Sequence, residues 1–194
     1  MSANTGNEKP DFENPSLLFK LEDILKNLIG RPLSYAPFYK MFKLKGSERV
    51  LDFGCGGGAG SVYLARHLRS GGYLASVDSS KYWIKKAKER LSGYPNAECF
   101  HGDIRRMNID DYSFDVVSVI HVIHDIHNEE RESIVKTLSK KLKTGSLLYI
   151  KEPVKRSHGI PAEELRKLLS NAGLREINGK ETKSEYTGKY QKIV

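Results

Sequence analysis

Apolar positions in this chain recur at two different periods, and the periods alternate along its length. From Ser16 the spacing is helical: Leu17, Leu18, Leu21, Ile24, Leu25 and Leu28 share a face, with Ser16 placed to cap the start and Gly30 to stop the end. Residues 1–15 ahead of it are polar and are expected to be disordered or loosely attached. Residues 31–42 are rich in aromatics and broken by Pro32 and Pro37, which predicts a loop and a short helix. Short apolar runs of strand length then take over: Val50-Leu51, Tyr73–Val77, Ala97–Phe100, Phe114–Ile120 and Ser146–Ile150. Helical patterns separate them. One covers Ser61–Leu68, a second shows Trp83, Ile84, Ala87 and Leu91 on one face, and a third runs through Ile134, Leu138 and Leu142 behind a cap at Asn128. A last helix opens at Pro161, turns Leu165, Leu168 and Leu169 inward and closes at Asn171-Ala172-Gly173. Two strands, Leu174–Lys183 and Tyr186–Val194, finish the chain.

Strands alternating with helices imply βαβ units, a mainly parallel sheet and an α/β fold. The closing pair is joined near Ser184-Glu185, too briefly for a crossover helix, so it must be antiparallel. Residues 46–194 read as one domain, and residues 1–45 as an N-terminal extension that lids or covers it.

Composition narrows the setting. The chain has 194 residues, with 32 Lys+Arg against 24 Asp+Glu and a net charge of +8. That balance suits a solvated basic surface, an anionic small substrate or nucleic acid. No appended RNA-binding module appears, and no run of like charges forms a polybasic tail. Cys55 and Cys99 are far apart and match no zinc or redox spacing, so a reduced, cytoplasmic location is expected. No apolar stretch is long enough to span a bilayer.

The chemistry gathers where the first strand ends. Asp52 follows Val50-Leu51, and Gly54, Gly56, Gly57, Gly58 and Gly60 crowd the turn before the next helix. Such a turn lets the backbone approach a ligand closely, and the helix behind it presents unpaired N–H groups. Gly54-x-Gly56-x-x-Ala59 fits a loose dinucleotide fingerprint, with Asp78 at about the right distance for a ribose acid. A buried acid at the strand end nevertheless disfavours a pyrophosphate, by roughly several kcal/mol at low effective dielectric. It favours a ligand with a cationic amino-acid end. Asp78 and Asp103 close the second and third strands, so three carboxylates stand at successive strand ends, where open α/β sheets bind ligands.

From Glu48 to Val194 the chain resembles the class I S-adenosylmethionine (SAM) methyltransferases, in particular the small single-domain type of ubiquinone and menaquinone biosynthesis. The matching segments are V-L-D-F-G-C-G-G-G at Val50–Gly58, V-D-S-S at Val77–Ser80, G-D-I at Gly102–Ile104, F-D-V-V at Phe114–Val117, V-I-H-D-I at Val122–Ile126 and A-G-L at Ala172–Leu174. The resemblance implies a Rossmann-like seven-stranded sheet, mostly parallel with the last strand antiparallel and helices on both faces. It implies SAM held by Asp52, Gly54, Gly56, Asp78, Ser79, Asp103 and Ile104. Cys55 and Gly58 belong to the same turn, and Tyr35 and His121 are expected beside the cofactor. One departure is Lys143-Thr144-Gly145-Ser146, where the family carries a Pro-Gly-Gly turn.

The expected function is methyl transfer from SAM to a small-molecule acceptor, leaving S-adenosylhomocysteine. An RNA or protein methyltransferase and a SAM-binding protein without catalysis are the alternatives, because the motifs report the cofactor and not the acceptor. His121 follows strand four and has a suitable ordinary pKa for a general base. His121, His124 and His127 at i, i+3, i+6 invite a metal reading, but the spacing is no known zinc signature and no metal is expected.

Overall fold

The computed structural model describes residues 35–69, 71–155 and 158–193. The helix expected over Ser16–Leu28 and the polar stretch before it lie outside the described residues. The described chain opens with a short helix α1 (Ala36–Lys40) whose first turn carries Pro37. Strand β1 (Arg49–Phe53) follows, then α2 (Ala59–His67), β2 (Tyr73–Asp78), α3 (Lys81–Leu91) and β3 (Ala97–His101). A 3-10 turn (Ile104–Arg106) leads to β4 (Phe114–Ile120), and a second (Ile123–Asp125) leads to α4 (Asn128–Lys141). The chain ends with β5 (Leu142–Lys155), β6 (His158–Gly159), α5 (Ala162–Asn171), β7 (Leu174–Glu181) and β8 (Glu185–Lys192).

The sheet runs β3-β2-β1-β4-β5-β8-β7, with β6 attached to β5 off that path. The seven strands in the path match the expected number, and the two-residue β6 is an eighth. β1 to β5 are parallel, and β8 is antiparallel to both β5 and β7. Strand order reverses between β1 and β4, which puts a crevice at their carboxyl ends.

Strand alternation sorts the core into two layers. Leu51, Ala75, Val117, Leu148 and Ile150 face one side and pack with α4 and α5 through Ile134, Leu138, Leu165 and Leu169. Val50, Leu74, Val116 and Tyr149 face the other, under Val62 and Leu64 of α2. That second layer also takes Phe38, Tyr39 and Phe42, so these three side chains are core and not part of a loose flap, while Lys40 and Met41 between them are exposed. The ring of Phe42 stacks on Tyr149 with centroids 4.1 Å apart.

Helix α3 buries Trp83, Ile84, Ala87 and Leu91, the same four residues the pattern singles out. The helix expected to run through Leu142 ends at Lys141 instead, and Leu142 begins β5. Among the described residues, no helix is long and apolar enough to cross a membrane.

Candidate active site

A cavity of about 970 Å³ opens at the carboxyl ends of β1, β2 and β4. Ten of the eleven residues singled out in the sequence line it: Tyr35, Asp52, Gly54, Cys55, Gly56, Asp78, Ser79, Asp103, Ile104 and His121. Gly58 does not. It has φ +81, and a Cβ there would sit 3.0 Å from the Ala87 backbone, so it is glycine to let α3 pack against the turn.

Geometry of the turn explains Gly54 as well. Gly54 has φ +70, and a Cβ on it would fall 2.2 Å from a methyl of Val122, on the loop leaving β4. The backbone N–H groups of Gly54 and Cys55 both donate to the Val77 carbonyl, at 2.8 and 3.0 Å, which hangs the turn on β2. Gly56 N–H donates to Oδ2 of Asp78 at 2.8 Å, and Ser80 N–H to its Oδ1 at 2.9 Å. Asp78 is thereby held between the glycine turn after β1 and its own loop after β2.

Asp52 sits deeper and is only 4% exposed. Ser61 of α2 donates to its Oδ2 at 2.7 Å. Among the described residues no cation pairs with it, and burial pushes its carboxyl up to about 6, the hydrogen bond from Ser61 offsetting part of the rise. A carboxylate built into a cavity wall without a positive partner is a receptor for one. Burial also raises the nearby Cys55 thiol, with Asp78 adding to the effect, which leaves it protonated and inert.

Asp103 caps the first 3-10 turn and holds Arg105 in a fork, with the closest contact 2.6 Å from Nη2 to Oδ2. The guanidinium bonds keep its carboxyl below the usual range. Arg105 also reaches Glu130 of α4 at 2.6 Å, tying two cavity walls together. Ile104 is buried and, with Trp83, supplies a flat apolar wall.

At the other end, β4 delivers His121 with φ +55, a conformation an L residue rarely adopts. Its Nε2 lies 3.0 Å from Glu185 Oε1, and Lys151 pairs with the second oxygen of Glu185 at 3.1 Å. The row His121, His124 and His127 does not converge: His121 turns to Glu185, while His124 turns to Glu152 and to His158. Sequence reasoning missed Arg105, Glu152, His158 and Glu185. Glu152 alone had a visible signal, an acid two residues past the apolar run that ends at Ile150.

Tyr35 and Tyr39 complete the cavity. The Tyr39 ring stacks on Tyr63 at 5.3 Å, and its hydroxyl is pushed well above its ordinary range by burial and then by Asp52.

Comparison with known proteins fits this geometry. Residues 50–145 match the methyltransferase domain family. The chain is 30% identical over 141 residues to phosphoethanolamine N-methyltransferase 1 of Zea mays, covering 70% of this chain and 26% of that protein. The chain belongs to the class I SAM-dependent methyltransferases. A demethylmenaquinone methyltransferase of Staphylococcus aureus (strain MRSA252) is 30% identical over 71 residues, 37% of this chain and 30% of the relative. Among solved structures, a SAM dependent methyltransferase from Aquifex aeolicus superposes with a TM-score of 0.74 at 22% identity, over 91% of this chain and 97% of that one. The chain spans only 26–44% of the length of the first three curated relatives it matches. The cofactor of this class is SAM, and the chemistry of the cavity residues fits it: Asp52 is a buried carboxylate able to pair with an ammonium, and Gly54 keeps side chains out of the turn beside it.

Proposed function

We propose that the protein transfers a methyl group from SAM to a small-molecule acceptor, in the cytoplasm, using residues 46–194 as the catalytic domain. The observation that carries this reading is Asp52, a buried carboxylate with no cation among the described residues, set behind a turn in which Gly54 leaves no room for a side chain. Asp52, oriented by Ser61, receives the amino-acid ammonium. Asp78, held by two backbone N–H groups, accepts from the ribose hydroxyls. Asp103 and Ile104, with Trp83, hold the adenine. SAM, when bound, supplies an electrophilic methyl on a sulfonium.

The chain's own contribution is positioning and exclusion of water. Methyl transfer needs an acceptor atom in line with the methyl, desolvated and relieved of any proton. Tyr35 and Tyr39 wall the cavity on the side of the N-terminal extension. His121, on the loop leaving β4 and backed by Glu185, stands as the candidate proton acceptor. Isothermal titration with S-adenosylhomocysteine and with NADH tests the cofactor, and product release across a panel of small acceptors tests the reaction. Saturable heat with S-adenosylhomocysteine and none with NADH is expected; the reverse overturns the assignment.

A further inference from the structure

Glu152 on β5 organises the loop after β4. It is fully buried, and its Oε1 accepts from the backbone N–H groups of Val122 and Ile123, each at 2.8 Å. Its Oε2 lies 2.7 Å from Nδ1 of His124, whose side chain is 4% exposed. With Nδ1 engaged by Glu152, the other ring nitrogen of His124, Nε2, is the one turned away from that carboxylate. That nitrogen faces a second imidazole. Nε2 of His158 lies 3.2 Å away, and Oδ2 of Asp125 lies 3.5 Å away. The three donor groups lie within 4.8 Å of one another, and all three residues line the cavity.

Backbone structure puts His158 there. β6 pairs back on β5 with Lys155 opposite His158 and Val154 opposite Gly159. A Cβ on Gly159 would fall 2.4 Å from the Pro153 carbonyl, so this close return needs glycine. Two ligand atoms about 2.0–2.1 Å from a zinc ion and separated by a tetrahedral angle stand about 3.3–3.4 Å apart. The separations of 3.2 and 3.5 Å from His124 Nε2 bracket that spacing. A histidine ligand whose other nitrogen is fixed by a buried carboxylate is the usual support of a metal site.

We propose that His124 Nε2, His158 Nε2 and a carboxylate oxygen of Asp125 form a three-ligand site for a divalent transition metal, zinc foremost, with its open position facing the cavity. Glu152 is its positioning residue. For its role the site rests on the methyltransferase reading: an acceptor oxygen in the open position is a stronger acid than in water. The site therefore selects hydroxyl- or enol-bearing acceptors.

The test uses the full chain stripped with a chelator and titrated with zinc chloride alone, followed by calorimetry, with cobalt(II) as a visible-absorption probe. One equivalent is expected to bind. His158→Ala is expected to weaken it by about 100-fold or more and Glu152→Gln by roughly 10–100-fold. His158 is exposed, so the zinc-free His158→Ala protein should melt where the zinc-free parent does. No saturable binding, or binding that survives His158→Ala, overturns the proposal. Because the titration needs no SAM, zinc binding without S-adenosylhomocysteine binding would fault the methyltransferase reading instead, and the converse would fault only the metal site.

Discussion

The hydroxyl of Tyr39 fills the space a side chain on Gly60 would need: a Cβ built there falls 1.9 Å from it. Tyr39 has little room to yield. Its ring is buried between Phe38, Phe42 and Tyr63, with centroids 5.3–5.6 Å away. Gly60→Ala adds a better helix former, a gain of about 1 kcal/mol in an open helix. Overpacking here is expected to reverse that gain, leaving a net loss of about 1–3 kcal/mol. Affinity for S-adenosylhomocysteine should fall with it, because Tyr39 lines the cavity. Urea denaturation reads the stability, and a variant more stable than the parent would show that Tyr39 is free to move.

Asp52 makes stability depend on pH. Its folded carboxyl is raised from 3.8 to about 6 by burial. The protonated form is therefore favoured by folding: the contribution is present in full below about pH 3.8 and is lost as pH rises through about 6. At pH 8 the ionised group costs the ligand-free protein about 3 kcal/mol. Asp52→Asn keeps an acceptor for Ser61 and removes that charge. It should stabilise the ligand-free protein at pH 8 by about 1–3 kcal/mol and hardly at all at pH 4, while abolishing S-adenosylhomocysteine binding. An equal effect on stability at the two pH values would mean that Asp52 is not the titrating group.

Strand ends and the glycine turn were legible because a short apolar run, an acid and a cluster of glycines lie within a few residues of one another. Helix α3 was legible residue for residue, since its buried stripe of Trp83, Ile84, Ala87 and Leu91 follows one period. Leu142 was not, because a buried leucine satisfies both the end of a helical stripe and the start of a strand. The contacts across the cavity were invisible for another reason. Glu152 reaches His124 across 28 residues, and His158 meets it across 34. Those pairs exist only once β4 and β5 are side by side and β6 has folded back. Asp103 is legible as a strand-end acid, but its ion pairs are not. Its fork with Arg105 sits two residues away, but the reach of Arg105 on to Glu130 depends on α4 packing against that turn.

His121 separates backbone geometry from side-chain chemistry. Its φ of +55 suits glycine, so His121→Gly removes the ring and its contact with Glu185 while keeping the chain's path. Relief of left-handed strain, about 1–2 kcal/mol, offsets the lost hydrogen bond and the flexibility of glycine. Net stability should stay within about 1 kcal/mol of the parent. If His121 takes the acceptor's proton, turnover should fall by about 10²-fold or more with S-adenosylhomocysteine affinity unchanged. Unaltered turnover would remove His121 from the chemistry and leave it the role of shaping the loop.

Tyr35 and Phe42 bracket the segment just ahead of the sheet and predict opposite outcomes. Phe42 is buried, stacked on Tyr149 at 4.1 Å and edge-on to Phe38 at 5.2 Å. Phe42→Ala should cost about 3–5 kcal/mol, because the cavity it leaves lies between a helix and the sheet and cannot collapse. Tyr35 is half-buried, faces the ligand cavity and touches Tyr39 at a ring distance of 6.4 Å. Tyr35→Ala should change the melting temperature little yet weaken S-adenosylhomocysteine binding, since it removes a wall between cofactor and water. Amide exchange over residues 35–42 adds the discriminating measurement. Protection at Phe38 and Phe42 should be high with or without ligand, and protection near Tyr35 should rise when S-adenosylhomocysteine binds. If exchange at Tyr35 ignores the ligand while Tyr35→Ala destabilises the fold as Phe42→Ala does, the whole segment is scaffold, and closure over the acceptor falls to the loops after β4 and β5.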